Sequence, residues 1–110
     1  MKYNVVLTPD FKKHFKKLYK KFPSLKDDLI KMIEILENDF EAGISLGHNL
    51  FKIRLAIESK NKGKSGGARV IYFFVSEDNE IYLIHIFDKG DFENIPKNVI
   101  LQMLKNVGLI

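Results

Sequence analysis

The segment Ser59–Arg69, SKNKGKSGGAR, is a cluster of residues that can bind phosphate, and it lies between two apolar runs. It carries three lysines, three glycines and a final arginine. The fragment GKS at residues 63–65 is similar to the end of a P-loop, which requires a glycine five residues before Gly63. Position 58 is Glu58 instead, and a carboxylate there would repel phosphate. The spacing argues against a nucleotide cradle and leaves the purpose of the basic loop open.

The composition is typical of one basic domain that spans residues 1–110. Hydrophobic residues make up 45% of the chain, and the net charge of +4 favours anionic partners such as nucleic acid or an acidic protein. The absence of cysteine excludes disulfides, thiolate nucleophiles and cysteine-based zinc sites. The N-terminus lacks the apolar core of a signal peptide, and no apolar run approaches the roughly 20 residues that span a bilayer. We expect a soluble, cytoplasmic protein without a membrane partner.

Hydrophobic spacing predicts the element order β-α-α-β-β-β-α. Apolar residues three and four apart indicate two amphipathic helices, the first capped by Thr8 and opened by Pro9, and the second capped by Ser24. After residue 50 the apolar period changes to two, which indicates strands, and Pro96 opens a last helix. The expected fold is α+β, with a mostly antiparallel four-stranded sheet, a helical hairpin on one face and a C-terminal helix.

The strand register decides which side chains share a face. The expected strands are residues 3–7, 50–57, 69–75 and 81–87, and Gly43 and Gly47 mark a connection without a strand. A regular hairpin that pairs residue 75 with residue 81 would put Arg69, His85 and Leu83 on one face. It would put Ile84 on the opposite face, under the two N-terminal helices.

Alternation along the preceding strand brings Lys52 and Arg54 to the same face as Arg69. That face would then carry three cations and one imidazole. The ordinary interpretation of Lys52 and Arg54 is a solvated strand surface. Arg69 could pair with a carboxylate such as Asp88, and His85 could be a hydrogen-bonded core histidine.

The histidines show no spacing that is typical of a metal site or a catalytic triad. There is no H-E-x-x-H motif, and His14 and His48 stand without a cluster of partners in the sequence. We therefore expect no metal and no cofactor. Six lysines between positions 12 and 21 form a basic helix face, which is most often solvated, although an acidic partner would relieve their mutual repulsion.

The run FKIRLAIESKNKGKSGGARVIYFF, followed by IYLIHIFDKGDFENI, resembles the RelE/ParE superfamily of bacterial toxins from type II toxin–antitoxin systems, and within it the HigB-like branch. The similar features are the K-I-R strand, the lysine–glycine loop that ends in G-G-A-R-V-I, and a short turn before the last helix. The resemblance covers residues 50–95 well and the N-terminal helices in pattern alone. It implies a compact fold like that of the microbial RNases.

The resemblance also implies an activity. Most such toxins enter the ribosomal A site and cut mRNA without a metal, through attack of a ribose 2′-OH on its own phosphate. The implied partners are a cognate antitoxin, the ribosome and mRNA, with oligomers forming through the antitoxin. Relatives that inhibit DNA gyrase lack the strand cations and give one alternative, and a non-catalytic antitoxin-binding module gives another.

The resemblance assigns roles to individual residues. Lys52, Arg54 and Arg69 match basic strand positions, where cations would stabilise charge that develops on the phosphorane. The loop suits a polyanion because glycines adapt to its surface and lysines attract phosphates. The residues expected to bind RNA or the ribosome are Lys60, Lys62, Lys64 and Lys89.

His85 departs from the family pattern, because relatives often carry a hydroxyl or an apolar residue there. We expect it to be the catalytic acid or base, with neighbouring cations lowering its pKa. Lys52 is the other candidate for proton transfer. Asp88 and Gly90 also differ from the usual residues of the turn, which leaves the role of that turn open.

Overall fold

The computed structural model describes residues 2–60, 67–88 and 95–110, which form three α-helices and one five-stranded sheet. The helices are α1 (Pro9–Lys21), α2 (Leu25–Asn38) and α3 (Lys97–Asn106). The strands are β1 (Asn4–Leu7), β2 (Ile44–Gly47), β3 (Leu50–Leu55), β4 (Ala68–Val75) and β5 (Glu80–Asp88). None of these helices is long and apolar enough to cross a membrane.

The sheet has the strand order β1-β5-β4-β3-β2, with β1 parallel to β5 and the other neighbours antiparallel. One apolar cluster lies between the sheet and the helices α1 and α2, and a second lies between the sheet and α3. The predicted α+β class is confirmed. The predicted count of four strands is wrong, because ISLG at residues 44–47 pairs with β3 as an edge strand. A four-residue strand that follows Gly43 and ends at Gly47 is too short to show an alternating pattern.

The start of α1 is fixed against the sheet by Thr8. Its hydroxyl accepts a hydrogen bond from the amide of Phe11 at 3.3 Å and donates one to the carbonyl of Leu83 at 2.8 Å. The first is the predicted N-cap, and Pro9 follows it at the first helical position. The second bond ties the cap to β5, so the first two turns of α1 run alongside the end of that strand.

Ser24 occupies the predicted N-cap position of α2, but its side chain makes no capping bond to that helix. The Ser24 hydroxyl donates to Oδ2 of Asp28 at 2.7 Å and accepts from the amide of Ser59 at 2.9 Å. Asp28 is buried and also accepts from the amide of Glu58 at 3.2 Å. These bonds fasten the 3₁₀ turn Glu58–Lys60, the entrance to the basic loop, to the first turn of α2.

The β4–β5 hairpin is one residue out of the predicted register near its turn and returns to it further on. Val75 pairs with Glu80, whereas Ile71 pairs with His85, because a bulge lies between these points. The shifted register between the turn and the bulge places Leu83 in the α1–α2 cluster and Ile84 in the α3 cluster, so both predicted faces were wrong. The turn between the paired Val75 and Glu80 contains residues 76–79, one residue fewer than the predicted turn of residues 76–80.

Tyr72 connects the chain after α2 to the middle of the sheet. Its hydroxyl donates to the carbonyl of Phe40 at 2.7 Å and accepts from the amide of Gly43 at 2.9 Å. Burial of the phenol raises the pKa of Tyr72 to about 12. A side chain at Gly43 would meet the carbonyl of Lys52 at 2.8 Å, so the glycine allows the segment to lie against β3. This packing holds in place the strand that carries Lys52 and Arg54.

Candidate functional site

The predicted basic face exists and is formed by neighbouring positions of β3 and β4. Arg54 lies directly opposite Arg69, and Lys52 lies opposite Ile71. Ile71 belongs to the α3 cluster, so these cations share the sheet face that α3 covers. Their placement on one face, which the alternating pattern predicted, is confirmed.

Arg69 is an almost fully buried cation. Its side chain is 8% exposed, and Nη1 donates a hydrogen bond to the carbonyl of Ala68 at 3.1 Å. Burial and the charge of Arg54 both lower the pKa of Arg69, although a guanidinium stays protonated in proteins. No ion pair found within residues 2–60, 67–88 and 95–110 includes Arg69.

Two like charges directly opposite each other on neighbouring strands are destabilising. Arg54 and Arg69 form such a pair, and burial of Arg69 weakens the screening by water. An anion placed between two guanidinium groups would turn this repulsion into two attractions. The arrangement is therefore suited to a phosphate, which guanidinium groups bind in a bidentate manner.

Asp88, the acidic partner expected for Arg69, is bound to Lys60. The distance between Lys60 Nζ and Asp88 Oδ1 is 2.6 Å, and the same ammonium lies 4.9 Å from the ring centre of Phe22. Both members of the pair are largely buried. The charge of Lys60 is thus paired with that of Asp88 inside the protein. The predicted contact of Lys60 with RNA would require this ion pair to open.

The other predicted RNA-binding residues lie outside the described part of the chain. Lys62 and Lys64 fall within residues 61–66, and Lys89 falls within residues 89–94. Gly67 borders the first of these segments, and a Cβ there would run into the carbonyl of Leu55. Close packing of the β4 entrance against β3 explains this glycine, and that packing positions the guanidinium two residues later.

The side chain of His85 contacts α1. Its Nδ1 lies 3.1 Å from Oδ2 of Asp10, and its ring centre lies 4.3 Å from that of His14. Both partners are on α1, in its first two turns. Beyond the β5 bulge His85 pairs with Ile71, and its ring centre lies 6.1 Å from that of Phe87, a member of the α3 cluster. The predicted pairings of Ile71 with His85 and of Arg69 with Phe87 are confirmed, and the ring of His85 also contacts Asp10 and His14 of α1, which the sequence did not predict.

His14, which the sequence left without partners, is part of the same cluster. Its Nδ1 lies 2.9 Å from the carbonyl of Asp10 and 3.6 Å from Oδ2 of the same residue. The spacing D-x-x-x-H could have shown that Asp10 and His14 share a helix face. Their encounter with His85 has no sequence signal.

The cluster lies beside a groove between α1 and α3 whose volume is about 460 Å³. The end of β5 forms its floor, and the walls are mainly apolar. The lining residues include Leu18, Ile86, Phe87, Val99 and Met103. Neither Arg54 nor Arg69 lines it, but Phe87, which pairs with Arg69 in the sheet, does, so the groove adjoins the basic face.

Burial is the main reason that the pKa of His85 is lowered in the folded protein, and the charge of His14 adds to it. The hydrogen bond to Asp10 acts in the opposite direction. The expected lowering is thus found, but its cause is desolvation and not the strand cations.

The depressed pKa of His85 predicts a loss of stability in mild acid. Between the folded pKa and the unfolded value of about 6.5 the unfolded chain binds more protons, so the free energy of unfolding falls as the pH drops below about 6.5. Urea unfolding between pH 5 and 8 measures this slope. We expect it to become smaller in His85→Asn and to stay unchanged in His48→Asn, which alters an exposed histidine outside the cluster. An equal slope in all three proteins would contradict the buried neutral ring.

A family model described as the RelE toxin of the RelE/RelB toxin–antitoxin system matches residues 11–108, most of the chain. The chain belongs to the RelE toxin family. The match includes both strands of the basic face, all three helices except the first two residues of α1, and the Arg54–Arg69 pair.

Solved structures of RelE proteins have the same fold. A free double arginine-to-alanine mutant of the E. coli toxin RelE superposes with a TM-score of 0.65 at 19% identity, over 99% of this chain and 100% of that one. The toxin–antitoxin complex RelBE2 from Mycobacterium tuberculosis gives 0.60 at 16% identity, over 80% and 92%. The intact E. coli RelBE complex gives 0.56 at 23% identity, over 78% and 95%. The predicted fold is thereby confirmed at the level of the RelE family.

Proposed function

We propose that the protein is the toxin of a type II toxin–antitoxin system and that it cleaves mRNA on the ribosome. The observation that carries this proposal is the opposed pair Arg54 and Arg69, of which Arg69 is buried without an ion-pair partner among the described residues. The repulsion within such a pair destabilises the isolated protein. A phosphate between the two guanidinium groups would attract both of them and remove this cost.

The proposed reaction is an internal transesterification of RNA. A ribose 2′-OH attacks its own 3′-phosphate, the bond to the 5′ oxygen of the next nucleotide breaks, and a 2′,3′-cyclic phosphate remains. One proton leaves the 2′-OH and one is delivered to the departing 5′ oxygen, so the step consumes no water and requires no metal. The demand on the protein is to position the chain and to stabilise the charge of the phosphorane.

The basic face supplies that charge stabilisation. The guanidinium of Arg69, fixed by burial and by its bond to Ala68, would bind two non-bridging phosphate oxygens. Arg54 and Lys52 would contact the same phosphate from β3, at partly or fully exposed positions that substrate can reach. Preorganised charge of this kind gains strength when the ribosome excludes water from the site.

Proton transfer is assigned to two candidates. Lys52 lies on the basic face itself. His85 lies two positions before Phe87, the register partner of Arg69, but its ring is turned to Asp10. The position of its ring makes His85 the less direct candidate for contact with the scissile phosphate.

A cognate antitoxin is the proposed protein partner, and oligomers would form through it. Two of the solved relatives are toxin–antitoxin complexes. The apolar groove between α1 and α3 and the exposed lysines of α1 favour a partner segment with apolar and acidic side chains. Within the family we place the chain in the HigB-like branch on its K-I-R strand and G-G-A-R-V-I motif, and we place its action in the cytoplasm, where ribosomes are.

Expression in cells tests the proposal. We expect growth arrest and new mRNA 5′ ends inside translated codons, and neither with a variant that carries both Arg54→Ala and Arg69→Ala. The matched control is Lys31→Gln, which removes one exposed positive charge from α2 on the opposite side of the sheet. Intact mRNA together with altered DNA supercoiling would support gyrase inhibition instead. Growth arrest that persists in the double variant would refute the role of the basic face.

A further inference from the structure

The cluster of Asp10, His14 and His85 is a second site with its own chemistry. One side-chain ligand atom from each residue lies within 4.8 Å of the other two. His85 is buried, whereas the side chains of His14 and Asp10 are 33% and 37% exposed. The cluster is therefore anchored in the protein at one end and open to solvent at the other.

Two of the three distances between ligand atoms are close to those around a small tetrahedral ion, and the third is at most 4.8 Å. Ligand atoms bound to zinc at 2.0–2.1 Å are about 3.3–3.4 Å apart in a tetrahedron. In this structure Oδ2 of Asp10 lies 3.1 Å from Nδ1 of His85 and 3.6 Å from Nδ1 of His14. These values lie on either side of the tetrahedral spacing, and coordination through Nδ1 of His14 requires release of its 2.9 Å hydrogen bond to the carbonyl of Asp10.

We propose that Asp10, His14 and His85 form a binding site for Zn²⁺ or a similar divalent transition metal. The carboxylate and one ring nitrogen from each histidine are the three protein ligands, and water occupies the fourth position. When a ring nitrogen that carries hydrogen becomes a ligand, that hydrogen moves to the other nitrogen of the ring. Both histidines therefore bind as neutral imidazoles.

The choice of metal follows from the ligands. Two imidazoles and one carboxylate suit Zn²⁺, Co²⁺, Ni²⁺ and Cu²⁺, whereas Mg²⁺ and Ca²⁺ prefer oxygen ligands. Lys17 and Lys21 line the neighbouring groove and weaken the affinity for any cation. Asp10 supplies the negative charge of the site, which makes it the most sensitive position to alter.

Metal binding would connect two elements that are far apart in the sequence. Asp10 and His14 lie on α1. His85 lies on β5 and follows Asp10 by 75 residues in the sequence. A ligand that binds the folded state alone raises its stability. The site includes His85, which is also a candidate for proton transfer, but metal binding can be measured directly, so its test needs no activity assay.

Titration of the full-length, tag-free protein with Co²⁺ tests the site. We expect one equivalent to produce the visible absorption of four-coordinate cobalt, displacement by Zn²⁺, and a higher melting temperature with Zn²⁺. Asp10→Asn and His14→Gln should each weaken Co²⁺ binding at least about tenfold, since even outer-shell changes cost 10- to 100-fold. His48→Asn, which changes the remaining histidine of the chain, should bind as the wild type does.

Three results would overturn the proposal. The first is the absence of saturable one-to-one binding, which would leave the cluster as a hydrogen-bonded network alone. The second is unchanged affinity in both Asp10→Asn and His14→Gln. The third is loss of binding in His48→Asn, which would move the metal elsewhere. Because Asp10 and His14 are partly exposed, circular dichroism should show native folds for both variants; if one fails to fold, the other still decides the question.

Discussion

Replacing Arg69 with alanine is expected to reduce cleavage of ribosome-bound mRNA by about 10²–10³-fold, equivalent to about 2.7–4 kcal/mol of barrier, by analogy with a lost oxyanion-hole donor. The physical reason is that a buried, fixed guanidinium cannot be replaced by water when charge develops on the phosphate. Single-turnover cleavage rates with purified toxin and programmed ribosomes measure the effect. Growth in cells that express the variant should return to nearly normal.

The fold of Arg69→Ala should survive, which separates a catalytic from a structural arginine. The side chain bonds the carbonyl of its own neighbour Ala68, and its removal ends the repulsion with Arg54. Arg69→Lys is the matched variant, because it keeps the charge and loses the planar fork, so we expect partial activity. An unfolded Arg69→Ala protein would show that Arg69 is structural and that its assignment to phosphate is mistaken.

Arg54→Gln is expected to have opposite effects on activity and stability. Cleavage should fall by about 10²-fold, the low end of the range for one lost donor, because Arg54 is exposed and water can partly replace it. The melting temperature should stay the same or rise, since a like-charge cross-strand pair costs up to about 1 kcal/mol and exposure reduces that. Thermal denaturation and cleavage rates on the same samples provide both measurements.

Lys31→Gln controls for the loss of one charge, because it lies exposed on α2 and away from the basic face. Its cleavage rate and melting temperature should match those of the wild type. A clear drop in stability for Arg54→Gln would mean that Arg54 has an internal structural role. Unchanged cleavage would mean that the opposed arginines do not bind the reacting phosphate.

The elements that sequence predicted correctly are those whose signal is local. Thr8 and Pro9 mark the start of α1, and the period of two after residue 50 places Lys52 and Arg54 on one face. Each of these inferences needs a few neighbouring residues alone. The short edge strand β2 has no such signal, because its pairing with β3 defines it more than its own sequence does.

The contacts of His85 with α1 could not be predicted from the sequence, although its pairing with Ile71 was. A shift of a single residue reverses the faces of a strand. The tight turn before Glu80 introduces such a shift, and the bulge near Ile84 cancels it. Arg69 lies beyond the point where the register returns, so its face was predicted correctly. His85 lies at that point and turns to α1, where it meets Asp10 and His14.

The partners of Lys60 and Asp88 show a second limit of sequence reasoning. A lysine in a glycine-rich loop suggests a free, exposed cation, yet its ammonium packs over Phe22 and pairs with Asp88. The three residues come from separate parts of the chain, and the pairing follows from the way that the 3₁₀ turn is held by Ser24 and its neighbours. Tertiary structure, and not loop composition, decides which lysines remain available for RNA.

Purified toxin incubated with one mRNA, either free or bound to ribosomes with a defined codon in the A site, tests the central claim most directly. Mapping of the 5′ ends and of the 3′ termini identifies both the position of the cut and its chemistry. We predict cleavage within the A-site codon, a 2′,3′-cyclic phosphate on the upstream fragment, and little cleavage of the free mRNA. Equal cleavage of free and ribosome-bound mRNA, or intact mRNA on ribosomes that bind the toxin, would contradict the account.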